Sequence, residues 1–145
     1  MPYTYKYPRP SLTVDAAVFR TVNNKTELLL IQRKFPPYQN KWALPGGFVD
    51  MDETLEEAVA RELFEETGIA GVELKQLKAF SSVNRDPRGR TVSVVFWGLL
   101  NKITAAKAGD DAADARWFEL QNLPPLAFDH KEVVEEAILK LNALH

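Results

Sequence analysis

The segment from Thr54 to Gly68 strongly constrains the fold, because it contains both the start and the stop signal of one helix. Thr54 followed three residues later by Glu57 is a capping box, in which each side chain satisfies a backbone N–H at the helix start. Residues 55–67, LEEAVARELFEET, are good helix formers, and Gly68 can take the left-handed conformation that ends a helix. The sequence therefore predicts a helix over residues 55–67.

This helix carries acidic side chains on the side that should face a core. At about 100° per residue, Leu55, Val59 and Leu63 form an apolar stripe. Glu62 lies at one margin of the stripe, and Glu66 lies within its angular range one turn further on. Carboxylates in such positions do not serve solubility, so they indicate a chemical role.

Glu62, Glu65 and Glu66 can converge near the last helical turns. Unpaired, these anions would repel one another, and the negative end of the helix dipole would add to that penalty. A divalent cation would relieve both. Oxygen ligands favour Mg²⁺, with Mn²⁺ as the substitute. The ordinary alternative is a solvated acidic helix face, which the helix taken alone favours.

Residues 47–69 also match a longer pattern, G-x5-E-x7-R-E-U-x-E-E-x-G-U, in which U is a bulky aliphatic residue. The matching positions are Gly47, Glu53, Arg61, Glu62, Leu63, Glu65, Glu66, Gly68 and Ile69. A chance match has odds on the order of one in ten million. The pattern resembles the signature of the Nudix family. The resemblance implies an α/β/α sandwich with a mixed β-sheet, and hydrolysis of nucleoside diphosphates linked to another group.

The pattern also assigns roles around the helix. The resemblance gives the Gly47 carbonyl to the metal, beside the three helix glutamates. We expect Glu53 to brace the loop that enters the helix. Arg61 lies four residues before Glu65 and can hold that carboxylate in register, so we expect Arg61 to orient the site.

The general base has candidates in two places. Similar proteins use either a glutamate of the helix, here Glu62, or a carboxylate in a later loop. The later loop of this chain contains Asp110, Asp111 and Asp114, just before a predicted strand. An acidic surface turn explains these three aspartates equally well.

The remaining chain alternates strands, loops and one further helix. Five strands are predicted, over residues 12–19, 28–32, 72–80, 91–100 and 115–119. Residues 35–50 contain three prolines and two adjacent glycines, which predict a loop without regular structure. Asp129 and Glu132 are expected to cap a final amphipathic helix. The fold class is α/β, as a single domain over residues 1–145.

Composition narrows the class of protein. The 145 residues include no cysteine and two histidines, so thiolate metal sites and thiol nucleophiles are excluded. A net charge of −2 without a basic run argues against nucleic-acid binding. We expect no membrane span, a cytoplasmic location and a small nucleotide as substrate, and both a monomer and a homodimer stay open.

Phrases outside the helix resemble the small ADP-ribose pyrophosphatases of bacteria and archaea. The phrases are PRPSLTVDAAVF, KWALPGGFVD, NRDPRGRTVSVVFW, AGDDA and LAFDH. Candidates for binding phosphate or ribose are Arg33, Arg85 and Arg88. Candidates for stacking on adenine are Tyr38, Phe80 and Phe128. The ordinary alternatives are surface arginines and aromatic residues of the core.

Two rival functions remain open. One is a hydrolase of oxidised nucleoside triphosphates, whose chemistry would be the same. The other is a regulatory domain that senses ADP-ribose without turnover, which we expect to need a DNA-binding domain beyond His145. The full set of acidic residues in the pattern favours an enzyme over a sensor. A purely structural scaffold is the weakest alternative, because it gives no reason for the carboxylate cluster.

Overall fold

A computed structural model describes residues 2–100, 105–109 and 112–144. Its elements in chain order are β1 (Ser11–Val22), β2 (Lys25–Arg33), β3 (Trp42–Ala43), β4 (Gly46–Phe48), α1 (Leu55–Thr67), β5 (Lys75–Phe80), β6 (Thr91–Leu100), β7 (Ala112–Glu119), a short 3-10 turn (Leu120–Asn122) and α2 (His130–Asn142). Among these described residues, no helix is long and apolar enough to cross a membrane.

Within the described residues, seven strands form one mixed sheet around β1. Strand β1 runs parallel to β6, from the pair Ser11 and Thr91 to the pair Arg20 and Leu100. On its other side β1 pairs antiparallel with β2 and with the short β4. Strand β2 in turn pairs with β3 and β7, and β6 pairs with β5. The predicted mixed sheet is therefore confirmed.

The two helices cover opposite faces of this sheet. Successive side chains of a strand point to opposite faces, and β1 is buried on both. One face, with α1, contributes Val14, Ala16, Val18, Ala58, Val59 and Leu63 to a core cluster. The other, with α2, contributes Ala17, Phe19, Val133, Val134, Ala137 and Leu141. The arrangement is the expected α/β/α sandwich.

Helix α1 begins and ends where the sequence predicts. The Thr54 hydroxyl accepts a hydrogen bond from the Glu57 N–H at 3.1 Å, and the Glu57 carboxylate accepts one from the Thr54 N–H at 2.9 Å. Gly68 ends the helix with φ of 76°, in the left-handed region. The capping box and the Gly68 stop each depend only on residues a few positions apart in the sequence.

Strands β1, β2 and β7 extend up to three residues beyond their predicted bounds, and three other predictions about the elements are wrong. Strand β5 begins at Lys75, because Val72 and Leu74 cross over Gly98 of β6, where a Cβ would lie within 3.2 Å of both side chains. The predicted loop 35–50 contains the short strands β3 and β4, which pair with β2 and β1. The Asp129 side chain caps no backbone group of α2, because Arg85 binds its carboxylate.

Candidate active site

A pocket of about 460 Å³ opens where β1, the β3–β4 connection, α1 and the start of α2 meet. Its lining brings together residues far apart in the chain, several of them charged. The lining residues are Thr13, Asp15, Ile31, Arg33, Ala43, Leu44, Gly46, Gly47, Phe48, Asp50, Glu62, Glu66, Arg85, Asp86, Arg88, Ser93, Phe128 and His130. Two of the three predicted metal glutamates and all three predicted arginines therefore share one cavity.

Glu66 is the most buried of the helix glutamates and has 7% of its surface exposed. One of its oxygens accepts a hydrogen bond from the Gly46 N–H at 2.8 Å. Burial raises the pKa of Glu66, and the nearby Glu62 and Asp15 carboxylates raise it further. Burial also raises the pKa of Glu62, against the lowering effect of Arg61. The pair is costly to ionise without a cation.

Gly47 allows the chain to pass directly against the Glu62 carboxylate. A Cβ at this position would lie 2.6 Å from the carboxyl carbon of Glu62, so any side chain would displace it. A Cβ at Gly46 would likewise collide with the Val14 carbonyl oxygen and the Asp15 carboxylate. The two glycines therefore bring backbone atoms next to the acidic groups of the pocket.

Arg61 ties the loop before α1 to the helix glutamates. Its Nε and Nη2 donate to the two oxygens of Glu53 at 2.9 and 2.6 Å, and Nη1 donates to Glu62 at 2.9 Å and to Glu65 at 3.2 Å. Glu53 also accepts a hydrogen bond from the Asp50 N–H at 2.8 Å. Hydrogen bonding to Arg61 lowers the pKa of Glu53 to about 2. The expected bracing contact and the Arg61–Glu65 pair are both present.

Glu65 differs from its two neighbours in position. Its side chain is 52% exposed, pairs with Arg61 and does not line the pocket. Within the described residues, no three acidic or histidine side chains stand together as a ready metal site. The metal assignment to Gly47, Glu62, Glu65 and Glu66 stays a prediction.

The three predicted arginines have different surroundings. Arg85 is buried, and its guanidinium binds the Asp129 carboxylate and the Ser93 hydroxyl. Arg88 binds Asp86 at 2.8 Å but keeps 40% of its side chain exposed. Arg33 donates to the Pro37 carbonyl oxygen at 2.7 Å and also lines the pocket. Arg88 is the most accessible of the three.

Aromatic rings and arginines form one side of the pocket entrance. The Arg88 guanidinium carbon lies 5.1 Å from the Phe48 ring centre and 5.3 Å from that of Phe128. The Arg33 guanidinium carbon lies 4.9 Å from the same Phe128 ring. Tyr38 contacts Phe128, with ring centres 4.9 Å apart, but does not itself line the pocket. We call Phe48, Arg88, Phe128 and Arg33 the aromatic rim.

Phe80, the third stacking candidate, lies away from this rim. It packs against the core cluster on the α2 side and contacts Lys78 on β5. It is not among the residues that line the pocket.

The acidic loop near residue 110 is described only in part. Asp110 and Asp111 lie outside the described residues, whereas Asp114 pairs with Arg116 at 2.6 Å and does not line the pocket. The segment just before them contacts the end of α1, where the Lys107 and Gly109 N–H groups donate to the Thr67 and Glu66 carbonyl oxygens.

Sequence reasoning missed two buried residues on the pocket floor, Asp15 and His130. Burial raises the pKa of Asp15 to about 7 and lowers the pKa of His130 to about 4. The available signal was weak: Asp15 is the charged residue within the otherwise uncharged strand SLTVDAAVF. His130 gives no comparable signal in the sequence, and its burial follows from the packing of α2 against the Leu44 backbone.

The fold and this carboxylate-lined pocket agree with the sequence comparisons. The sequence model of the NUDIX domain matches residues 11–137. The chain belongs to the Nudix family, and it is a Nudix hydrolase.

Individual relatives add detail. The chain is 47% identical to an ADP-ribose pyrophosphatase of Methanocaldococcus jannaschii, over 90% of this chain and 74% of that protein. It is 37% identical to the ADPR responsive transcriptional repressor NtrR of Acinetobacter baylyi, over 94% of this chain but only 56% of the repressor. The NUDIX domain of Shewanella oneidensis NrtR, solved in complex with ADP ribose, superimposes with a TM-score of 0.89 at 35% identity, over 96% of this chain and 94% of that domain.

Proposed function

We propose that this protein hydrolyses the pyrophosphate bond of ADP-ribose to AMP and ribose 5-phosphate, with Mg²⁺ or Mn²⁺ as the activating ion. The observation that carries the proposal is that one pocket joins Glu62 and Glu66 to the aromatic rim. The carboxylates suit a cation that neutralises a pyrophosphate, and the rim suits a purine and its phosphates. The 47% identity to an ADP-ribose pyrophosphatase supports the same substrate.

The residues present fit a hard divalent cation. Glu62 and Glu66 supply carboxylate oxygens, both with pKa raised by burial, and Gly47 brings its backbone against Glu62. In our proposal these groups hold the ion, and Glu65 joins them by releasing Arg61. A cation bound there would neutralise phosphate charge and acidify water.

The protein side chains then position and deprotonate the attacking water. Its oxygen bonds to one phosphorus, the bond from that phosphorus to the bridging oxygen breaks, and the bridging oxygen leaves with the other phosphate. Glu62 lines the pocket and takes the water proton in our proposal, whereas Asp114 is bound to Arg116 outside it. Arg61 holds Glu62 in place.

The base is tested by Glu62→Gln and by Asn substitutions at Asp110, Asp111 and Asp114, each followed across pH. The variant that lacks the base should lose turnover while largely retaining substrate affinity. We expect this result for Glu62→Gln. Loss of turnover in one of the aspartate variants alone would move the base to the later loop.

Substrate preference tests the rest of the proposal. The catalytic efficiency kcat/KM should be higher for ADP-ribose than for oxidised deoxyguanosine triphosphate, since a second ribose offers hydroxyl groups that a polar site can bind. A clear preference for the triphosphate would overturn the substrate assignment.

The second candidate function is sensing of ADP-ribose without turnover. It is favoured by the 37% identity to an ADPR responsive repressor. Tight binding of ADP-ribose without hydrolysis in the presence of Mg²⁺ and Mn²⁺ would support sensing, and multiple turnovers would exclude it.

A further inference from the structure

Asp15 from the middle of β1 and His130 from the first turn of α2 meet on the pocket floor. Both residues line the pocket and are largely buried, with 8% and 4% of their surface exposed. The Nε2 atom of His130 lies 3.9 Å from one Asp15 oxygen. This distance is too long for a direct hydrogen bond, so the two groups face each other without bonding.

The hydrogen bonds of His130 fix which nitrogen carries its proton. Nδ1 accepts a hydrogen bond from the Leu44 N–H at 3.0 Å and must therefore be unprotonated. The neutral imidazole then has its hydrogen on Nε2, the atom nearest Asp15. His130 thus presents a donor beside the acceptor oxygens of Asp15.

Among the described residues, no group binds the Nε2–H of His130, and the Asp15 carboxylate is only partly engaged. Arg85, the cation whose charge lowers the pKa of Asp15, is bound through its guanidinium to Asp129 and to the Ser93 hydroxyl. Arg85 and the Ser93 hydroxyl both act to lower the pKa of Asp15, against the larger raising effect of burial. A carboxylate has about four acceptor positions, so Asp15 keeps acceptor capacity toward the pocket.

The 3.9 Å separation leaves no room for an atom directly between Nε2 and the Asp15 oxygen, but one hydroxyl oxygen can lie beside the pair within hydrogen-bond distance of both. An oxygen about 2.8 Å from both atoms can accept from Nε2–H and donate to the carboxylate. A phosphate oxygen has no hydrogen to donate to the Asp15 carboxylate, so it cannot satisfy both groups of the pair. We propose that Asp15 and His130 form a hydroxyl-binding pair that recognises a ribose hydroxyl of the substrate. This inference rests on the proposed function, which supplies a substrate with two riboses.

The experiment is calorimetric binding in chelator, where no turnover occurs, with three ligands. These are ADP-ribose, an analogue whose adenosine ribose is 2′,3′-dideoxy, and an analogue whose terminal ribose is replaced by an alkyl chain. The proteins are the parent, Asp15→Asn, His130→Asn and the surface control Glu136→Gln. His130→Asn retains an acceptor near the Nδ1 position for the Leu44 N–H but lacks the Nε2 donor.

The parent should bind one of the two analogues about tenfold more weakly than ADP-ribose, since a hydrogen bond to a charged group is lost. The analogue that binds more weakly identifies the ribose that Asp15 and His130 contact. Asp15→Asn or His130→Asn should weaken ADP-ribose binding by a similar factor and leave binding of that analogue unchanged. Glu136→Gln should change nothing. An equal loss on all three ligands would show a structural role and overturn the proposal.

A measurement on the parent protein alone tests the proposal even if the variants do not fold. With histidine ¹⁵N-labelled, the Nε2–H signal of His130 should shift on addition of ADP-ribose and not with the analogue that lacks the recognised hydroxyls. A shift that is the same with all three ligands would overturn the pair. ADP-ribose binding without hydrolysis in Mg²⁺ would overturn only the proposed function, and no binding at all would overturn both.

Discussion

The guanidinium of Arg85 binds the carboxylate of Asp129 through two hydrogen bonds, from Nε to Oδ2 at 2.9 Å and from Nη2 to Oδ1 at 2.7 Å. This contact joins the loop between β5 and β6 to the start of α2, two segments that both line the pocket. It also explains why the Asp129 side chain makes no capping hydrogen bond at the start of α2.

Breaking this ion pair should destabilise the whole domain. The Arg85 side chain is 4% exposed, so Arg85→Met leaves the Asp129 carboxylate without its partner in a poorly solvated position. We expect a loss of about 3 kcal/mol in the free energy of unfolding. Lys78→Met, which breaks the exposed pair with Glu136, should cost less than about 1 kcal/mol. Urea unfolding of both variants tests this, and similar losses would contradict it.

Arg61→Lys should lower turnover although it preserves the charge. A lysine cannot reproduce the fork that binds both oxygens of Glu53 while reaching Glu62 and Glu65. We expect kcat to fall at least about tenfold through misplacement of the helix glutamates. The matched control is Arg20→Lys, which alters the Arg20–Glu27 pair away from the pocket. Equal kcat values for the two variants would refute a positioning role for Arg61.

Glu66 should make the metal-free protein less stable as the pH rises. Its pKa is raised in the folded state, so the protonated form is favoured there and stability is lost as pH climbs above the ordinary carboxyl range. In chelator, the Tm of the parent should fall between pH 6 and pH 9 by about 4 °C or more, and that of Glu66→Gln should fall less. Parallel curves for the two proteins would contradict the burial argument.

Glu66→Gln should still lower activity at least about a hundredfold, through loss of a metal-binding charge.

Arg88→Ala should weaken substrate binding more than it affects turnover. The Arg88 side chain is partly exposed on the aromatic rim and can reach a phosphate group of a bound nucleotide. Loss of one charge-assisted hydrogen bond predicts a rise in KM of about tenfold or more. Arg90→Ala, at an exposed position beside β6, serves as the control. Steady-state kinetics that give the same KM for both variants would remove Arg88 from the site.

Local signals account for what the sequence predicted well. The capping box at Thr54, the left-handed Gly68 and the amphipathic stripe of α1 each depend on residues within a few positions of one another. The convergence of Glu62 and Glu66 on one pocket follows from the helical repeat. The Arg61–Glu65 ion pair was predictable for the same reason, because the two residues are four positions apart on the helix.

Tertiary contacts account for what the sequence could not predict. Asp15 and His130 are 115 positions apart and meet only because β1 and α2 pack around the Leu44 backbone. Asp129 carries a good capping side chain, but a residue 44 positions earlier binds it more strongly than the helix start does. The start of β5 likewise depends on the contact of Val72 and Leu74 with Gly98 of β6, which the local sequence does not predict.

The most direct test of the account is a product analysis of the purified protein with ADP-ribose. With Mg²⁺ or Mn²⁺, mass spectrometry should detect AMP and ribose 5-phosphate in equal amounts, many times in excess of the enzyme. In chelator both products should fall to background, and they should return when the metal is restored. Full turnover in chelator, or ADP-ribose left intact in the presence of both metals, would contradict the account.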